Sequence, residues 1–444
     1  MDIITNRRSS DPVALSGPIF RLAAVTAMVF VIAMAGCIEG HEEPLPDREG
    51  LFYPIGMQMH PDGRFLYVLN SNFDMRYRGN LGGTVLVIDT DTGEILSESS
   101  PYVPSFGSYL ALNDDATKLY VPTRHNNEMT VLSVADQGQA LYCDNDGERS
   151  ADTRPCTVRR IPDMREGTRI SDDPFGVAVG RAQRTVGGTQ SDFDLVHLSY
   201  LRGSDVTSMS LPDSEIAGAS MQSAAVVGQG GNQLQMRPGT DEVYVAGRGT
   251  NRIEGFRPFL STTGEVEAIV RSHTVRITES GSGMDARGLA FDEAGDWMYV
   301  ATRRPNALHM VGMEKADGGG PEVVASIPLE NRPSEVHVHR GPDGQQWLYI
   351  PSYRYGIVEV VDPRKEAVVD VIDVGRSPYS MTSDSAPANC REAGQRCQGY
   401  VTLFDAGTDR DERCDQDARV CGKVAIIDLD PESDTFHTVI ETIQ

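Results

Sequence analysis

Lysine is almost missing from this chain of 444 residues, and acidic side chains outnumber basic ones. There are 64 Asp and Glu residues against 40 Lys and Arg residues, which leaves a formal charge of −24. Binding to nucleic acid depends on basic side chains that neutralise phosphates, so this balance argues against a nucleic-acid partner. The lysines are Lys118, Lys315, Lys365 and Lys423, so nearly all the basic residues are arginine.

The motifs of several common chemistries are also missing. The sequence has no C-x-x-C-H, which excludes covalently attached haem. It has no G-x-S-x-G and no P-loop, so neither a hydrolase nucleophile elbow nor nucleotide chemistry has a signal here. The cysteines do not form the C-x2-C pairs near histidines that a zinc site uses. We therefore predict no cofactor from these motifs.

One long apolar run is present, over residues 22–36 near the N-terminus. Basic residues precede the run, small residues end it, and Cys37 follows directly. The run is short for a membrane span of ~20 residues and has the features of a secretory signal. Small residues before a cysteine resemble the lipobox of bacterial lipoproteins, where the thiol is acylated and the preceding peptide removed. We expect residues 1–36 to be such a signal peptide; an ordinary cleaved signal and an uncleaved anchor are the alternatives.

The residues after this run indicate where in the cell the protein is located. Under the lipoprotein resemblance Cys37 carries the lipid, and a residue other than Asp at Ile38 implies sorting to the outer membrane of a Gram-negative bacterium. Residues 37–50 are polar and contain prolines, as a tether does. The sequence thus predicts a protein of the cell envelope that contacts the membrane through its lipid anchor.

The other six cysteines fall into three local pairs, which we expect to be disulfides: Cys143 with Cys156, Cys390 with Cys397, and Cys414 with Cys421. Chain-entropy estimates give ~2.5 kcal/mol of stabilisation for closing loops as short as the last two. Because disulfides persist in oxidising compartments, the pairs agree with export.

A repeat with a period near fifty residues is the strongest signal in the sequence. A tyrosine followed by Val or Ile recurs at Tyr67, Tyr120, Tyr244, Tyr299, Tyr349 and Tyr400, and a degenerate copy is centred on Leu198. These seven anchors are separated by 53, 78, 46, 55, 50 and 51 residues. Such a period is typical of propellers and solenoids.

Each anchor strand has similar neighbours. A short strand and a turn precede it, as at residues 56–63 and 288–295, and alternating runs follow it, as at residues 84–89 and 367–372. Alternation across short runs bounded by Gly, Asp and Pro is the signature of strands. Four strands, A to D, in each of seven units predict an all-β fold: a seven-bladed β-propeller with four antiparallel strands per blade, over residues 51–444.

The repeat also resembles a known family. Residues 60–68, which read HPDGRFLYV, are followed by the run at 85–89 and by Thr92-Gly93, and this phrase is similar to the YVTN β-propeller repeat. The resemblance spans about residues 51–444 and implies the same propeller architecture. Because proteins of this fold family have many roles, it leaves the function open.

Arginines recur at one position relative to the anchors. Arg124, Arg202, Arg248 and Arg303 lie four residues after their anchors, and Arg354 is displaced by one residue in the sixth blade. This position is the turn between strands B and C, so the guanidinium groups should ring one face near the mouth of the channel. Guanidinium groups bind carboxylate and phosphate through paired hydrogen bonds, which predicts an anion-binding ring. The alternative is that each arginine ties a strand end to a neighbouring blade.

Acidic loops and histidines are weaker candidates. The insertion over residues 405–421 follows the last anchor strand and carries Asp409, Asp411, Asp415 and Asp417, and the loop after Cys143 carries Asp144 and Asp146. These carboxylates are calcium candidates because hard cations take several oxygen ligands, although neither loop has the EF-hand spacing. His60, His337 and His339 lack a paired carboxylate at a recognisable spacing, so we interpret them as structural.

Two functions fit this sequence. The first is a non-catalytic envelope lipoprotein, a monomer that binds a protein, a polysaccharide or a small anion on its B–C loop face. The second is an enzyme of the lactonase-like or periplasmic dehydrogenase-like type that acts at the channel mouth. We prefer the first on sequence grounds, because arginines dominate the predicted mouth where a catalytic propeller would place His, Asp or Glu.

Overall fold

The computed structural model describes residues 45–73, 77, 79–145, 148–150, 159–160, 173–211, 220–225, 230–279, 283–314, 319–330, 332–384, 396–406 and 422–444. The predicted signal peptide and Cys37 lie outside these residues. Within the ranges given, no helix is both long and apolar enough to cross a membrane.

Seven antiparallel sheets follow one another along the chain, and each sheet is one blade. Blade 1 contains β1 (Pro54–Met59), β2 (Phe65–Asn70), β3 (Gly83–Asp89), β4 (Glu94–Ile95) and β5 (Tyr102–Val103). Blade 2 contains β6 (Ala111–Leu112), β7 (Lys118–Thr123), β8 (Glu128–Ala135), β9 (Ala140–Asn145), β10 (Glu148–Ser150) and β11 (Arg159–Arg160). Blade 3 contains β12 (Pro174–Val186), β13 (Thr189–Tyr200), β14 (Asp205–Leu211) and β15 (Ser220–Ala225).

The remaining blades have four strands each. Blade 4 contains β16 (Gly231–Met236), β17 (Val243–Gly247), β18 (Arg252–Leu260) and β19 (Val266–Arg276). Blade 5 contains β20 (Ala286–Phe291), β21 (Trp297–Arg303), β22 (Asn306–Gly312) and β23 (Glu322–Pro328). Blade 6 contains β24 (His337–Arg340), β25 (Gln346–Ser352), β26 (Ile357–Asp362) and β27 (Ala367–Asp373), and blade 7 contains β28 (Pro378–Ser383), β29 (Gln398–Leu403), β30 (Lys423–Asp428) and β31 (Val439–Ile443). Four 3-10 helices lie at Gly79–Leu81, Ser97–Ser99, His125–Asn127 and Asp136–Gly138. The predicted seven-bladed β-propeller is confirmed.

The anchor tyrosines fill the space between blades, which explains why they recur. Tyr67, Tyr120, Tyr244, Tyr299, Tyr349 and Tyr400 are all buried. The Tyr67 hydroxyl donates to the carbonyl oxygen of Gly138 in blade 2 at 2.8 Å. The Tyr120 hydroxyl donates to Asp194 Oδ2 in blade 3 at 2.6 Å. A tyrosine has a large ring that packs in the apolar seam between blades and a hydroxyl that can bond to the next blade. One tyrosine per repeat therefore both fills the seam and links the two blades.

Blade 3 departs from the pattern, and the structure corrects its anchor. In the other blades the anchor on strand B lies opposite a residue at the same position of strand A. In blade 1, for example, Gln58 lies opposite Tyr67. In blade 3 the equivalent pair is Ala178 with His197, so His197 takes the tyrosine's place and Leu198 does not. His197 is fully buried and its Nδ1 lies 2.7 Å from Ser208 Oγ in the same blade. The anchor therefore lies one residue earlier than predicted.

The ring closes between blades 7 and 1 without a shared strand in the part of the chain that the structure describes. An apolar cluster from both blades fills this junction, with Leu51, Met57, Tyr400 and Ile426 among its members. Arg396 adds a polar link, since its Nη2 donates to Thr90 Oγ1 at 2.6 Å. The backbone N–H of Gly422 donates to the carbonyl oxygen of Leu51 at 3.0 Å.

Replacing Gly422 with Ala should weaken this junction. A Cβ at that position would lie 1.9 Å from Pro54 Cδ and 2.5 Å from its Cγ, so the two blades would have to move apart. We expect a loss of about 3 kcal/mol in the free energy of unfolding, measured by urea denaturation. Gly320→Ala is the matched control, because a Cβ there meets nothing within 4 Å. Equal urea midpoints for the two variants would contradict this account of ring closure.

The structure tests two of the predicted disulfide cysteines directly. Cys143 and Cys397 are both disulfide-bonded and buried. Cys156, Cys390, Cys414 and Cys421 lie outside the described residues, so the three pairings stay predictions.

Candidate site at the channel mouth

All seven blades contribute to one cavity of about 300 Å³. Their contributions come from the turns after the B strands and from the first residues of the A strands. In a propeller the A strands are innermost, and these two places lie at the same end, so the cavity occupies the mouth of the central channel. Sites of this size suit a small ligand.

The residue four positions after the anchor lines the cavity in every blade. With His197 as the anchor of blade 3, these residues are Ser71, Arg124, Leu201, Arg248, Arg303, Tyr353 and Phe404. Three of the predicted arginines, Arg124, Arg248 and Arg303, are thus brought together. Arg202 and Arg354 lie one residue further along and are not among the lining residues; the Arg202 side chain is 77% exposed on the rim.

The first residues of the A strands form a second layer, which the sequence analysis missed. Ile55, Phe175, Arg287 and Tyr379 line the cavity and follow the residue that opens the A strand in blades 1, 3, 5 and 7, and Ser108 lines it from the segment just before β6 in blade 2. Arg332 is added by the connection between blades 5 and 6. The signal for this layer was present, because Ile55, Phe175 and Tyr379 each follow a proline at one repeat position.

The described lining residues therefore include five arginines and no acidic side chain. The Arg248 guanidinium lies over the Phe175 ring at 5.2 Å, and its Nη2 donates to Asn232 Oδ1 at 2.8 Å. Arg303 Nε donates to the carbonyl oxygen of Pro333 at 2.8 Å. In a protein with a formal charge of −24, so many cations in one small cavity indicate a site for an anion.

Burial works against the charge of these arginines. It lowers the pKa of Arg248 to about 10, with Arg287 as the next cause, and the pKa of Arg303 to about 10 for the same two reasons. Burial also lowers the pKa of Arg124, although Asp173 opposes the shift. Because guanidinium groups stay protonated near neutral pH, the fold carries a desolvation cost here that a bound anion would offset.

Several polar atoms around the cavity are buried without a hydrogen-bond partner among the described residues. They are the Nε atoms of Arg124 and Arg248, the Oγ of Ser71 and the hydroxyl of Tyr109. Buried polar groups usually have a hydrogen-bond partner, and each group left without one costs about 1–3 kcal/mol. Groups of this kind around one cavity are available to donate to, or accept from, a ligand.

Two arginines at the mouth pair with a carboxylate of their own blade, whereas the alternative interpretation expected ties to a neighbouring blade. Arg287 binds the Asp285 carboxylate through both Nε and Nη2, at 2.8 and 3.2 Å. Arg202 Nε lies 2.9 Å from Asp173 Oδ2. Arg124 Nε is 3.9 Å from the other oxygen of Asp173. The ring thus divides into tied arginines, Arg287 and Arg202, and arginines without a close carboxylate, Arg248 and Arg303.

Aromatic side chains cover the other side of the mouth. Phe73 packs edge-on against Phe404, with ring centroids 5.5 Å apart, and against Phe106 at 6.2 Å. Tyr53 and Tyr379 extend this group, at 5.1 and 6.3 Å from Phe404. Phe73 nevertheless remains 53% exposed.

One buried carboxyl group, that of Glu335, is bonded to the strand that carries the lining residue Tyr379. Glu335 Oε1 accepts from Gln233 Nε2, and its Oε2 accepts from the backbone N–H of Met381, both at 3.1 Å. Burial raises the pKa of Glu335 to about 7. Burial also raises the pKa of Tyr109 well above its usual value, and its smaller causes are Tyr379, Glu335, Arg248 and Arg287. The phenol of Tyr109 therefore lies near both the cavity and Glu335.

The histidine and calcium candidates do not join this site. His337 Nε2 and His339 Nδ1 both contact Ser383 Oγ, at 3.0 and 3.3 Å, and burial lowers the pKa of His337 to about 3. His60 Nδ1 lies 2.8 Å from Asp62 in its own turn. Asp146, Asp409, Asp411, Asp415 and Asp417, and the side chain of Asp144, fall outside what the structure describes. Across the described residues, no group of three His, Cys, Asp or Glu residues is placed to hold a metal ion.

Comparison with known proteins supports the fold. No family model matches the chain, and no curated protein matches its sequence. The periplasmic gluconolactonase PpgL of Pseudomonas aeruginosa has a TM-score of 0.54 at 17% identity, over 75% of this chain and 89% of its own. The hydrazine synthase of Kuenenia stuttgartiensis has a TM-score of 0.52 at 15% identity, over 88% and 98%. A protein from Lactobacillus plantarum has a TM-score of 0.50 at 15% identity, over 73% and 85%.

These findings correct one expectation from the sequence. The preference for a non-catalytic scaffold is contradicted, because the propellers that this chain resembles in fold include a gluconolactonase. That preference depended on the absence of His, Asp or Glu at the channel mouth. The structure adds a buried carboxyl group, Glu335, which accepts from the backbone N–H of Met381, two residues after the lining residue Tyr379, and has a pKa raised to about 7.

Proposed function

We propose that this chain is a lactonase-like hydrolase that binds an anionic lactone at the mouth of its channel. The observation that carries the proposal is the cavity itself, in which five arginines and no described acidic side chain surround a space of about 300 Å³. Hydrolysis of a lactone develops negative charge on the carbonyl oxygen and yields a carboxylate. Both species suit guanidinium donors.

The arginines have two tasks in this reaction. Arg248 and Arg303, which lack a close carboxylate, donate to the lactone carbonyl and stabilise the oxyanion when water adds to the carbonyl carbon. Arg124 and Arg332 hold a second anionic group, a carboxylate or phosphate elsewhere on the substrate. The C–O bond of the ring then breaks, and the ring oxygen takes up the proton that the attacking water lost and leaves as a hydroxyl.

Glu335 is the proton acceptor in this proposal. Water must lose a proton as it adds to the carbonyl, and a carboxylate with a pKa of about 7 is well matched to receive it near neutral pH. In this proposal the buried Tyr109 hydroxyl, which has no hydrogen-bond partner in the described residues, supplies a route for the proton; its ring packs on the lining residue Phe175, with ring centroids 5.6 Å apart.

A direct assay tests the function. The purified protein is given lactones with and without a carboxylate or phosphate, and acid release is followed with a pH indicator. We expect hydrolysis of the anionic lactones and much slower hydrolysis of neutral γ-butyrolactone. If no lactone is opened faster than in buffer, the proposal fails.

The sequence also supports proposals about family and location. We assign the repeat to the YVTN type on residues 60–68 and 85–89, and the protein to the envelope through a lipid on Cys37. The predicted partners outside the membrane, a protein or a polysaccharide, and the monomeric state stay predictions.

Changing Cys37 to Ser should release the protein from membranes. Without the thiol no acyl chain can be attached, and the apolar run over residues 22–36 is short for a stable span. We expect the C37S variant to move from the membrane pellet to the soluble fraction of a Gram-negative host and to lose palmitate labelling. Retention of C37S in the pellet would count against the lipid anchor.

A further inference from the structure

The walls of the channel-mouth cavity have two different chemistries, and they face each other. Arg248, Arg287 and Arg303 come from blades 4 and 5, whereas Phe73 and Phe404 come from blades 1 and 7. In a ring of seven, the fourth and fifth blades lie opposite the first. The cavity therefore has a cationic side and an aromatic side across the channel axis, and Phe106, under the Arg124 guanidinium at 5.3 Å, marks the border between them.

The aromatic side is built to receive an apolar group. Phe73 meets Phe404 and Phe106 at interplanar angles of 78° and 89° and Tyr53 at 57°, so none of these rings stacks parallel on it. Phe73 is 53% exposed and belongs to this group of neighbouring aromatic rings, and contiguous exposed apolar surface in a concave mouth marks a binding site. An apolar ring or acyl chain that covered Phe73 would remove this surface from water.

The polar groups of the cavity are poorly suited to a polyol. Sugar hydroxyls are hydrogen-bond donors as well as acceptors, and they need acceptors from the protein. Arginine has no acceptor atom, and the side-chain acceptors of the described lining residues are the hydroxyls of Ser71, Ser108, Tyr353 and Tyr379. Because the other polar side chains of the lining are arginines, which only donate, the cavity suits a ligand rich in acceptors and poor in hydroxyl donors better than a fully hydroxylated lactone.

We propose that the ligand is a hydroxyl-poor carboxylate or phosphate with an apolar ring or acyl part, its anion on the arginines and its apolar part on Phe73. This inference deepens the proposed lactonase function, on which it rests, by naming the substrate class: apolar anionic lactones in place of sugar lactones. The binding preference itself is measurable without turnover.

Isothermal titration with four probes tests the ligand class. We expect phenylacetate and 4-phenylbutyrate to bind at least tenfold more tightly than D-gluconate, which has the same anion and five hydroxyls in place of an apolar part. The Phe73→Ala variant should bind the better phenyl ligand about tenfold more weakly, because about half of a phenylalanine side chain loses its contact. Its affinity for inorganic phosphate should not change, since phosphate touches only the arginines.

Phe259→Ala is the matched control. Phe259 is 50% exposed, like Phe73, but it lies in β18, away from the cavity residues. We expect this variant to bind every probe as the wild type does. Tighter binding of D-gluconate than of both phenyl ligands, or an unchanged phenyl affinity in F73A, would overturn the inference.

Turnover separates this inference from the proposed function. If the phenyl preference holds but no lactone of either class is hydrolysed, the ligand class stands and the lactonase function fails. If sugar lactones are hydrolysed faster than apolar anionic lactones, the lactonase function stands and the ligand class fails.

Discussion

Replacing Arg124, Arg248 and Arg303 together with Gln is expected to abolish anion binding and lactone hydrolysis while the melting temperature stays nearly unchanged. Each guanidinium offers charge-assisted hydrogen bonds worth about 1.5–3 kcal/mol to a bound anion. The loss of three should weaken binding at least about 1000-fold, which titration with phosphate and a kcat/KM measurement both detect.

The small effect on stability follows from the surroundings of these arginines. Burial lowers the pKa of Arg248 and Arg303 to about 10, so the fold opposes their charge and gains little from it. The bonds that are lost, from Arg248 to Asn232 and from Arg303 to Pro333, are partly replaced by the Gln amide.

Two single variants complete this experiment. Arg202→Gln is the binding control, because Arg202 is on the rim, 77% exposed, and bound to Asp173. Arg287→Gln is the control for a structural tie, because it leaves the Asp285 carboxylate without its bidentate partner, and we expect it to lower the melting temperature. A triple variant that melts several degrees earlier than the wild type, as R287Q should, would mean that all these arginines are ties.

The sequence predicted the parts of this site that repeat. Each blade needs one large residue in its seam, so the tyrosine recurs, and the turn at a fixed distance after it faces the channel in every blade. This reasoning found Arg124, Arg248 and Arg303 directly. It misplaced the blade 3 anchor because His197 fills the tyrosine position, and it therefore chose the exposed Arg202 in place of Leu201, which lines the cavity.

The parts that do not repeat were not predicted. Glu335 and Gln233 are 102 residues apart and meet only because blades 4 and 6 converge on the channel. No spacing in the sequence pairs them, and the raised pKa of Glu335 arises from burial that only the closed ring creates. The aromatic side was not predicted for the same reason, since Phe73 of blade 1 and Phe404 of blade 7 are far apart in sequence and meet where the ring closes.

The second large effect that we expect is a loss of kcat when Glu335 is replaced. If its carboxylate accepts the proton of the attacking water, Glu335→Gln should lower kcat by about 100-fold or more, the usual range for removal of a general base. The base works only when deprotonated. The wild-type rate should therefore rise with pH through about 7, and the small residual rate of E335Q should lack that rise.

Glu359→Gln is the control for this variant. Glu359 is also buried in blade 6 with a pKa raised by burial, but its carboxylate accepts from Ser352 Oγ at 2.6 Å and from the backbone N–H of Glu330 at 2.9 Å, whereas Glu335 interacts with the Tyr109 phenol. We expect E359Q to keep the wild-type pH profile of kcat. Should E335Q keep both the wild-type kcat and its rise through pH 7, Glu335 is not the base.

Stability against pH gives an independent measurement of the same group. The pKa of Glu335 is raised in the folded protein from its usual 4.5 to about 7, so the folded state holds this proton more tightly than the unfolded chain. Its contribution to stability is present below pH 4.5 and is lost as the pH rises through about 7. Glutamine does not titrate, so the melting temperature of E335Q should fall less than that of the wild type between pH 5 and pH 8. A titrating Glu335 that passes this test and also controls kcat is a base at the channel mouth, because a carboxyl group with a purely structural role would change the melting profile alone.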